Sequence, residues 1–241
     1  PKAEREQILR NLFAYPGGAG FSYCRLPMAA SDFALAAYSY SETPDDWDLK
    51  YFSLAHDETY LIPFVQAALK VNPKLRIFAS PWSPPGWMKE SGKVESGGPD
   101  NVLRDEPEVY RAYALYFEKY VRGYADRGIN IERVMIQNEP DVNPPYPGCF
   151  MASEQIVEFA TQYLIPQFKA ARLKTEVWGG TFREAERLQA HECMVDERFA
   201  SQIQGLGVQY SRAGQVKDLA AKYPRTPLMH TEGICYDGAN S

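Results

Sequence analysis

Residues 107–137 read PEVYRAYALYFEKYVRGYADRGINIERVMIQ, and the fold class turns on how they parse. Pro107 suits the first turn of a helix. Tyr113, Phe117, Tyr120 and Tyr124 then recur at three- and four-residue spacing, and Gly128 can close the last turn. A helix is expected over residues 107–127. Residues 131–137 (IERVMIQ) follow as a short apolar strand. A helix running straight into an apolar strand is half of a βα repeat, and the same alternation extends in both directions.

Upstream, Ile8, Leu9 and Leu12 give helical spacing over residues 4–13, and the Gly17-Gly18-Ala19-Gly20 turn leads into a strand at 21–27. A helix at 57–71 and a strand at 75–80 come next, the latter stopped by Pro81-Trp82-Ser83-Pro84-Pro85. Downstream, Ser153 can cap a helix reaching about residue 172, bent at Pro166. Strands at 175–179 and 203–209, a helix at 213–223 and a strand at 226–232 complete the series. Six apolar strands joined by helical crossovers imply parallel pairing covered on both faces, in a (β/α) barrel or a doubly wound sheet. Neither GxGxxG opening a helix nor GxxxxGK[ST] occurs, so the barrel is favoured. A complete eight-stranded barrel takes roughly 250 residues. Here 241 residues carry six strands. The expectation is a single catalytic (β/α) barrel domain over 1–241, truncated at both ends. Its two open strand edges would make the isolated piece fold poorly.

Composition narrows the function. With 26 Lys+Arg against 31 Asp+Glu the formal charge is −5, which argues against nucleic acid as a partner. No apolar run approaches the roughly 20 residues of a membrane helix. The 13% aromatic content suits stacking on sugar rings, although helix packing uses the same residues. Cys24, Cys149, Cys193 and Cys235 lack metal-site spacing and read as small core residues, with a disulfide at Cys149 open in an oxidising compartment. His56, His191 and His230 are equally scattered, so neither a metal nor a cofactor is expected.

Barrel chemistry sits at the carboxyl ends of the strands. Arg25 and Asp32 flank the first strand end, Trp82 the second, Asn138 and Glu139 the third, Gln209 and Tyr210 the fifth, and Glu232 the sixth. Glu139 and Glu232 are 93 residues apart, about 31 for each of three intervening units, which supports one shared rim. Two carboxyls on one cleft are what glycoside hydrolysis requires: one protonates the leaving oxygen, the other attacks the anomeric carbon or activates water. Asn138 can bind a sugar hydroxyl, Trp82 can stack on a ring, and Arg25 with Asp32 can fix hydroxyls or tune the acids.

Plainer readings stand beside these. A lone Glu often anchors a loop, Asn-Glu-Pro can be a turn, Trp82 can be core, and Arg25 with Asp32 can be a structural ion pair. His230 shares alternation parity with Glu232 and reads as an interior hydrogen-bonding residue. A non-catalytic carbohydrate-binding barrel is the rival from another class. An enzyme of phosphorylated metabolites would need a Gly-rich anion site before a helix, whereas Gly17 to Gly20 precede a strand.

Longer motifs add a resemblance. Residues 25–33 (RLPMAASDF), Tyr38-Ser-Tyr40, residues 43–46 (TPDD), residues 79–89 (ASPWSPPGWMK), Gln137-Asn-Glu-Pro140 and His230-Thr-Glu-Gly233 together resemble glycoside hydrolase family 30, the glucosylceramidase-like retaining β-glycosidases. They lie in register from about residue 21 to 235. The resemblance implies a (β/α)8 TIM barrel, here strands two to seven, without the appended β-sandwich. It also implies a retaining double displacement on a β-linked carbohydrate or glycoside, with Glu139 as acid/base and Glu232 as nucleophile. Asn138 would then meet the sugar 2-hydroxyl, while Arg25, Asp32 and Trp82 line the glycone site. The family favours secretion or a periplasmic location, and the chain shows no signal peptide. Gln209-Tyr210-Ser211 stands where glucosylceramidases carry His-Trp-Tyr, which argues against a ceramide-linked substrate. Residues 90–105 and 141–150 are the loops expected to govern the leaving group.

Overall fold

A computed structural model describes residues 2–183, 189–210 and 213–233. Six strands, β1 (Tyr23–Met28), β2 (Arg76–Pro81), β3 (Arg133–Met135), β4 (Glu176–Phe182), β5 (Leu206–Gln209) and β6 (Leu228–Glu232), pair in sequence order. Every neighbouring pair is parallel. Parallel strands need crossovers, and the helices supply them. After α1 (Lys2–Phe13), the β1–β2 connection holds α2 (Ala55–Thr59) and α3 (Leu61–Val71), and α4 (Pro107–Asp126) links β2 to β3. A run of α5 (Ser153–Glu158), a π-helical turn (Phe159–Leu164) and α6 (Ile165–Ala170) links β3 to β4. Helices α7 (Gln189–Val195) and α8 (Glu197–Gln202) precede β5, and α9 (Ala213–Lys222) precedes β6.

The sheet is not flat. Arg25 on β1 and Glu232 on β6 meet at 2.7 Å, although five strand spacings of roughly 4.8 Å each would separate them in a planar sheet. The wall therefore curls until its first and last strands face each other across a bore, the geometry of a TIM barrel wall. Gly207 permits the tight part of this curve. A Cβ there would lie 2.6 Å from the Gly180 carbonyl oxygen and 2.9 Å from Thr231 Cγ2, so a larger residue would push β5 away from its neighbours.

The main core lies between the sheet and the helices. Helix α4 dominates it: Tyr113, Tyr116, Phe117, Tyr120 and Tyr124 are all fully buried. Tyr113 stacks on Phe159 with ring centroids 5.0 Å apart, and Tyr40 lies between Tyr116 and Tyr120 at 5.5 and 5.8 Å. Much of the aromatic content thus serves helix packing rather than sugar stacking. A smaller cluster of Phe78, Met135 and Trp178 fills the bore, where Arg133 lies 4.3 Å over the Trp178 ring. Cys149 and Cys193 are buried and Cys24 is half-buried, as small core residues are; Cys235 lies outside the described residues.

A second buried feature ties the β1 rim to the helices. Asp57 on α2 accepts hydroxyls from Tyr38 at 2.8 Å and from Tyr40 and Tyr124 at 2.6 Å each. The Tyr40 oxygen in turn accepts the Ala29 amide at 2.7 Å. Ala29 has φ 67°, a left-handed conformation uncommon for a residue with a Cβ.

Several boundaries differ from the sequence expectation. The helix expected over 57–71 breaks at Tyr60, φ −137°. Continuing it would drive the Pro63 ring into the Thr59 carbonyl, four residues back. At Pro166, where a bend is expected, the helix after Ser153 widens into its π turn just before the proline. Strand β3 is three residues long, not seven, because beyond Met135 the chain leaves the regular ladder. It holds to β4 through Ile136 N–H to the Trp178 carbonyl (3.2 Å) and the Asn138–Thr181 bridge. Helices α7 and α8 form where the sequence pattern points to no element. The Asp196 side chain caps α8 by accepting the Arg198 and Phe199 amides.

Candidate active site

Glu232 ends β6, and each of its carboxylate oxygens has a donor. Arg25 Nη1 donates to Oε2 at 2.7 Å and the Tyr210 hydroxyl donates to Oε1 at 2.6 Å. Arg25 is the hub of the cluster. Its Nε donates to Ser80 Oγ at 2.8 Å, and its Nη2 donates to Asn138 Oδ1 at 2.6 Å and to Thr181 Oγ1 at 3.4 Å. One guanidinium thus joins β1, β2, β4, β6 and the segment after β3, a task suited to its planar fork of donors. Its face lies 4.4 Å above the Trp82 ring. Burial pulls the guanidinium pKa down, and the carboxylates of Glu232, Glu139 and Asp32 push back against that shift.

Glu139 follows Asn138 where the chain leaves the sheet, and it holds a left-handed backbone, φ 44°. Local hydrogen bonds fix that turn. The Asn138 amide donates to the Pro81 carbonyl at 2.9 Å and the Glu139 amide to the Thr181 carbonyl at 3.1 Å. Asn138 Oδ1 accepts from both Arg25 and Thr181 Oγ1, which commits the amide oxygen to the protein and leaves the nitrogen as the donating side. A left-handed non-glycine residue held this firmly is typical of a site where geometry serves function.

The Glu139 carboxyl takes a hydrogen bond from the Gln209 side chain, and Arg183 Nε lies 3.8 Å from its Oε1. Burial raises its pKa above the usual carboxylate range. Gln209 and Arg183 oppose that shift, and the charges of Glu232 and Asp141 add to it. Gln209 Oε1 accepts from the Thr231 hydroxyl at 3.3 Å. Tyr210 next to it has φ 53°, which turns its phenol toward Glu232. Burial, then Glu232, raises the Tyr210 pKa, so the phenol keeps its proton.

Glu139, Glu232, Arg25, Trp82, Asn138, Gln209 and Tyr210 are thus brought into one cluster. Asp32 sits apart on an exposed loop after β1, within electrostatic reach of Glu232 and Arg25 and hydrogen-bonded to its own backbone. The carboxylate paired with Arg25 is Glu232, not Asp32. Arg25 lies in the middle of β1 rather than at its end. Trp82 is buried, with the Arg25 guanidinium over its ring. Ser211 lies outside the described residues. Ser80, which lies inside the 79–89 motif without being singled out there, joins the site with Thr181 and Arg183, which belong to no motif. Their positions are the available signal, because all three lie at or just beyond the ends of β2 and β4, on the rim where barrel chemistry gathers. Among the described residues no group of three His, Cys, Asp or Glu side chains lies close enough to hold a metal ion, and no helix is long and apolar enough to cross a membrane.

Comparison with known proteins places this cluster in context. Residues 1–232 match the glycosyl hydrolase family 30 TIM-barrel domain. The chain is 36% identical over 137 residues to the lysosomal acid glucosylceramidase of Mus musculus, a match covering 55% of this chain and 26% of that protein. It is 32% identical over 171 residues to the endo-1,6-beta-D-glucanase BGN16.3 of Trichoderma harzianum, covering 67% of this chain and 35% of the relative. Among solved structures, SrfJ from Salmonella typhimurium superposes with a TM-score of 0.89 at 28% identity. That superposition covers 100% of this chain and 54% of that one. The chain therefore spans about half of that structure, and its matches to the two curated relatives cover about a third or less of each.

Proposed function

Because the chain belongs to glycosyl hydrolase family 30, we propose that it is the catalytic barrel of a retaining β-glycosidase in which Glu232 is the nucleophile and Glu139 the acid/base. Glu232 attacks the anomeric carbon as Glu139 protonates the departing oxygen, and a covalent glycosyl-enzyme forms. Glu139, now a carboxylate, takes a proton from water, which displaces Glu232 with a second inversion and so returns the original configuration.

The observation that carries this reading is the contrast between the two carboxyls. Glu232 accepts one donor on each oxygen, Arg25 and Tyr210, which suits a carboxylate that must be held aimed at one atom. Glu139 is desolvated with a raised pKa, which suits a group that must carry a proton at the start. Asn138 and Arg25 would meet the glycone, with Trp82 supporting the guanidinium from behind, Asp32 at the rim, and Gln209 and Tyr210 placing the two acids. Both curated relatives carry names of enzymes acting on glucose units, so the substrate proposed is a β-linked glucoside. Gln209-Tyr210 favours a glucan over a ceramide-linked one.

The test is trapping. Incubating the protein with 2-deoxy-2-fluoro β-glucosides should add one sugar to the intact mass, with the adduct mapped to Glu232. Retention places the two carboxyls about 5 Å apart, against roughly 6.5–9.5 Å for inversion. Sugar binding without any adduct would favour the non-catalytic barrel instead.

A further inference from the structure

Lys89 is buried, at 2% exposure, and among the described residues no carboxylate forms an ion pair with it. Its ammonium has three N–H bonds, and all three are used: Nζ donates to Ser83 Oγ at 3.0 Å, to the Val94 carbonyl at 2.8 Å and to the Gly148 carbonyl at 2.7 Å. Those acceptors belong to three separate segments: the loop leaving β2, the 90–105 loop and the 141–150 loop.

The two longer loops are laced together beyond this point. Bridges join Glu95 to Pro147 and Val102 to Phe150. Asn101 Nδ2 donates to Asn143 Oδ1 at 2.7 Å, and Asn143 Nδ2 to the Gly98 carbonyl. The 141–150 loop starts two residues after Glu139, and the Met151 amide returns to the Pro140 carbonyl at 2.9 Å. Tyr146 on that loop feels the charges of Glu139, Asp32, Arg183 and Glu232, which puts the loop beside the cleft on the acid/base side.

We infer that Lys89 is a positioning residue for the leaving group: its ammonium fastens the 90–105 and 141–150 loops into one wall against which the departing part of the substrate lies. This rests on the glycosidase reading, since a leaving group is defined only by it. The charged form is the one that clamps. A neutral amine has two N–H bonds and could donate to only two of the three acceptors. Burial pulls the Lys89 pKa down to about 8, with Cys149 and Asp100 the ionisable groups that face it. The protein retains a cation at a desolvation cost, and three loops held at once are what that cation supplies.

The experiment compares two substrates that share a glycone, β-glucosyl fluoride and a β-1,6-linked glucose disaccharide, in the intact protein and in Lys89→Met. Fluoride is too small to reach the wall. The expected result is a fall of about tenfold in kcat/KM for the disaccharide, with the fluoride changed by no more than about twofold. Ser83→Ala, which removes one acceptor, should move the same ratio less far and serves if Lys89→Met does not fold. An equal fall for both substrates, or none for either, overturns the inference. Hydrogen exchange gives a readout free of the chemistry: amides in 94–103 and 147–151 should lose protection together in Lys89→Met, and unchanged protection overturns the clamp. If the parent protein turns over neither substrate, the glycosidase reading fails and exchange alone decides the clamp.

Discussion

Tyr210 reaches Glu232 Oε1 at 2.6 Å from a residue whose own backbone is left-handed, φ 53°. The backbone strain and the short hydrogen bond belong together, because strand side chains alternate faces and an extended Tyr210 would point away from the face on which Gln209 meets Glu139. The hydroxyl donates to the oxygen opposite the one held by Arg25, so the carboxylate plane is fixed from both sides. Tyr210→Phe should lower kcat by about a hundredfold, with the 2-fluoro adduct still mapping to Glu232. Steady-state kinetics with an activated aryl β-glucoside checks it, and an unchanged kcat would remove Tyr210 from the aiming of the nucleophile.

The pH profile should carry the mark of Glu139. Its folded pKa is raised, so activity that needs the proton persists below that value and is lost as pH rises through it. Arg183 opposes the rise, while Glu232 and Asp141 add to it. Arg183→Gln should therefore move the alkaline limb of kcat/KM to higher pH. A limb that stays fixed, or moves down, would show that Arg183 does not act on the acid/base.

Lys89 gives a stability prediction of opposite sign. Its pKa falls from 10.5 to about 8 on folding, so between those values the unfolded chain binds the proton more tightly. Stability contributed by this group rises as pH climbs through that window. The gain is roughly 3 kcal/mol, because each pH step across it is worth about 1.4 kcal/mol. Buried tyrosines titrate at the upper end, so the quantity to follow is the difference between the parent and Lys89→Met in urea melts near the two ends of the window. A difference that does not change with pH would contradict it.

Asp57 should be among the most sensitive core positions. Asp57→Ala strips the acceptor from three phenols, two of them fully buried, and frees the Ala29 turn that Tyr40 restrains. The expected loss is roughly 3–5 kcal/mol in urea unfolding, the range for breaking a buried polar network. Tyr40→Phe should cost about 1–3 kcal/mol, since it leaves the Ala29 amide without its acceptor. Losses under about 1 kcal/mol for Asp57→Ala would mean the cluster is solvated.

The strands are legible in the sequence because each is an apolar run bounded by Gly, Pro or polar residues, and the topology follows because parallel neighbours demand crossovers. Helix α4 is legible from its aromatic spacing alone. The distortion at Pro166 is legible from the proline itself, whereas the break at Tyr60 ahead of Pro63 is hidden by apolar spacing that runs on through it, and α7 and α8 are too short for periodicity to reveal. In the site, Glu139 and Glu232 declare themselves by their position at strand ends. Their environments do not: no spacing rule says that Arg25 pairs with Glu232 rather than with Asp32, or that Arg183 faces Glu139. Trp82 shows the same limit, since a tryptophan between prolines reads alike whether its ring meets a sugar or, as here, a guanidinium.

The contact between Arg25 and Glu232 spans 207 residues of chain. At a synthesis rate of roughly 5–20 residues per second, the two partners leave the ribosome on the order of 10 to 40 seconds apart. Through that interval the nascent barrel wall holds a guanidinium among its earlier strands without the anion that pairs with it, and β6 brings that missing charge. A chain interrupted before β6 therefore has neither Glu232 nor a settled Arg25, and under the proposed mechanism activity would report that synthesis passed that point.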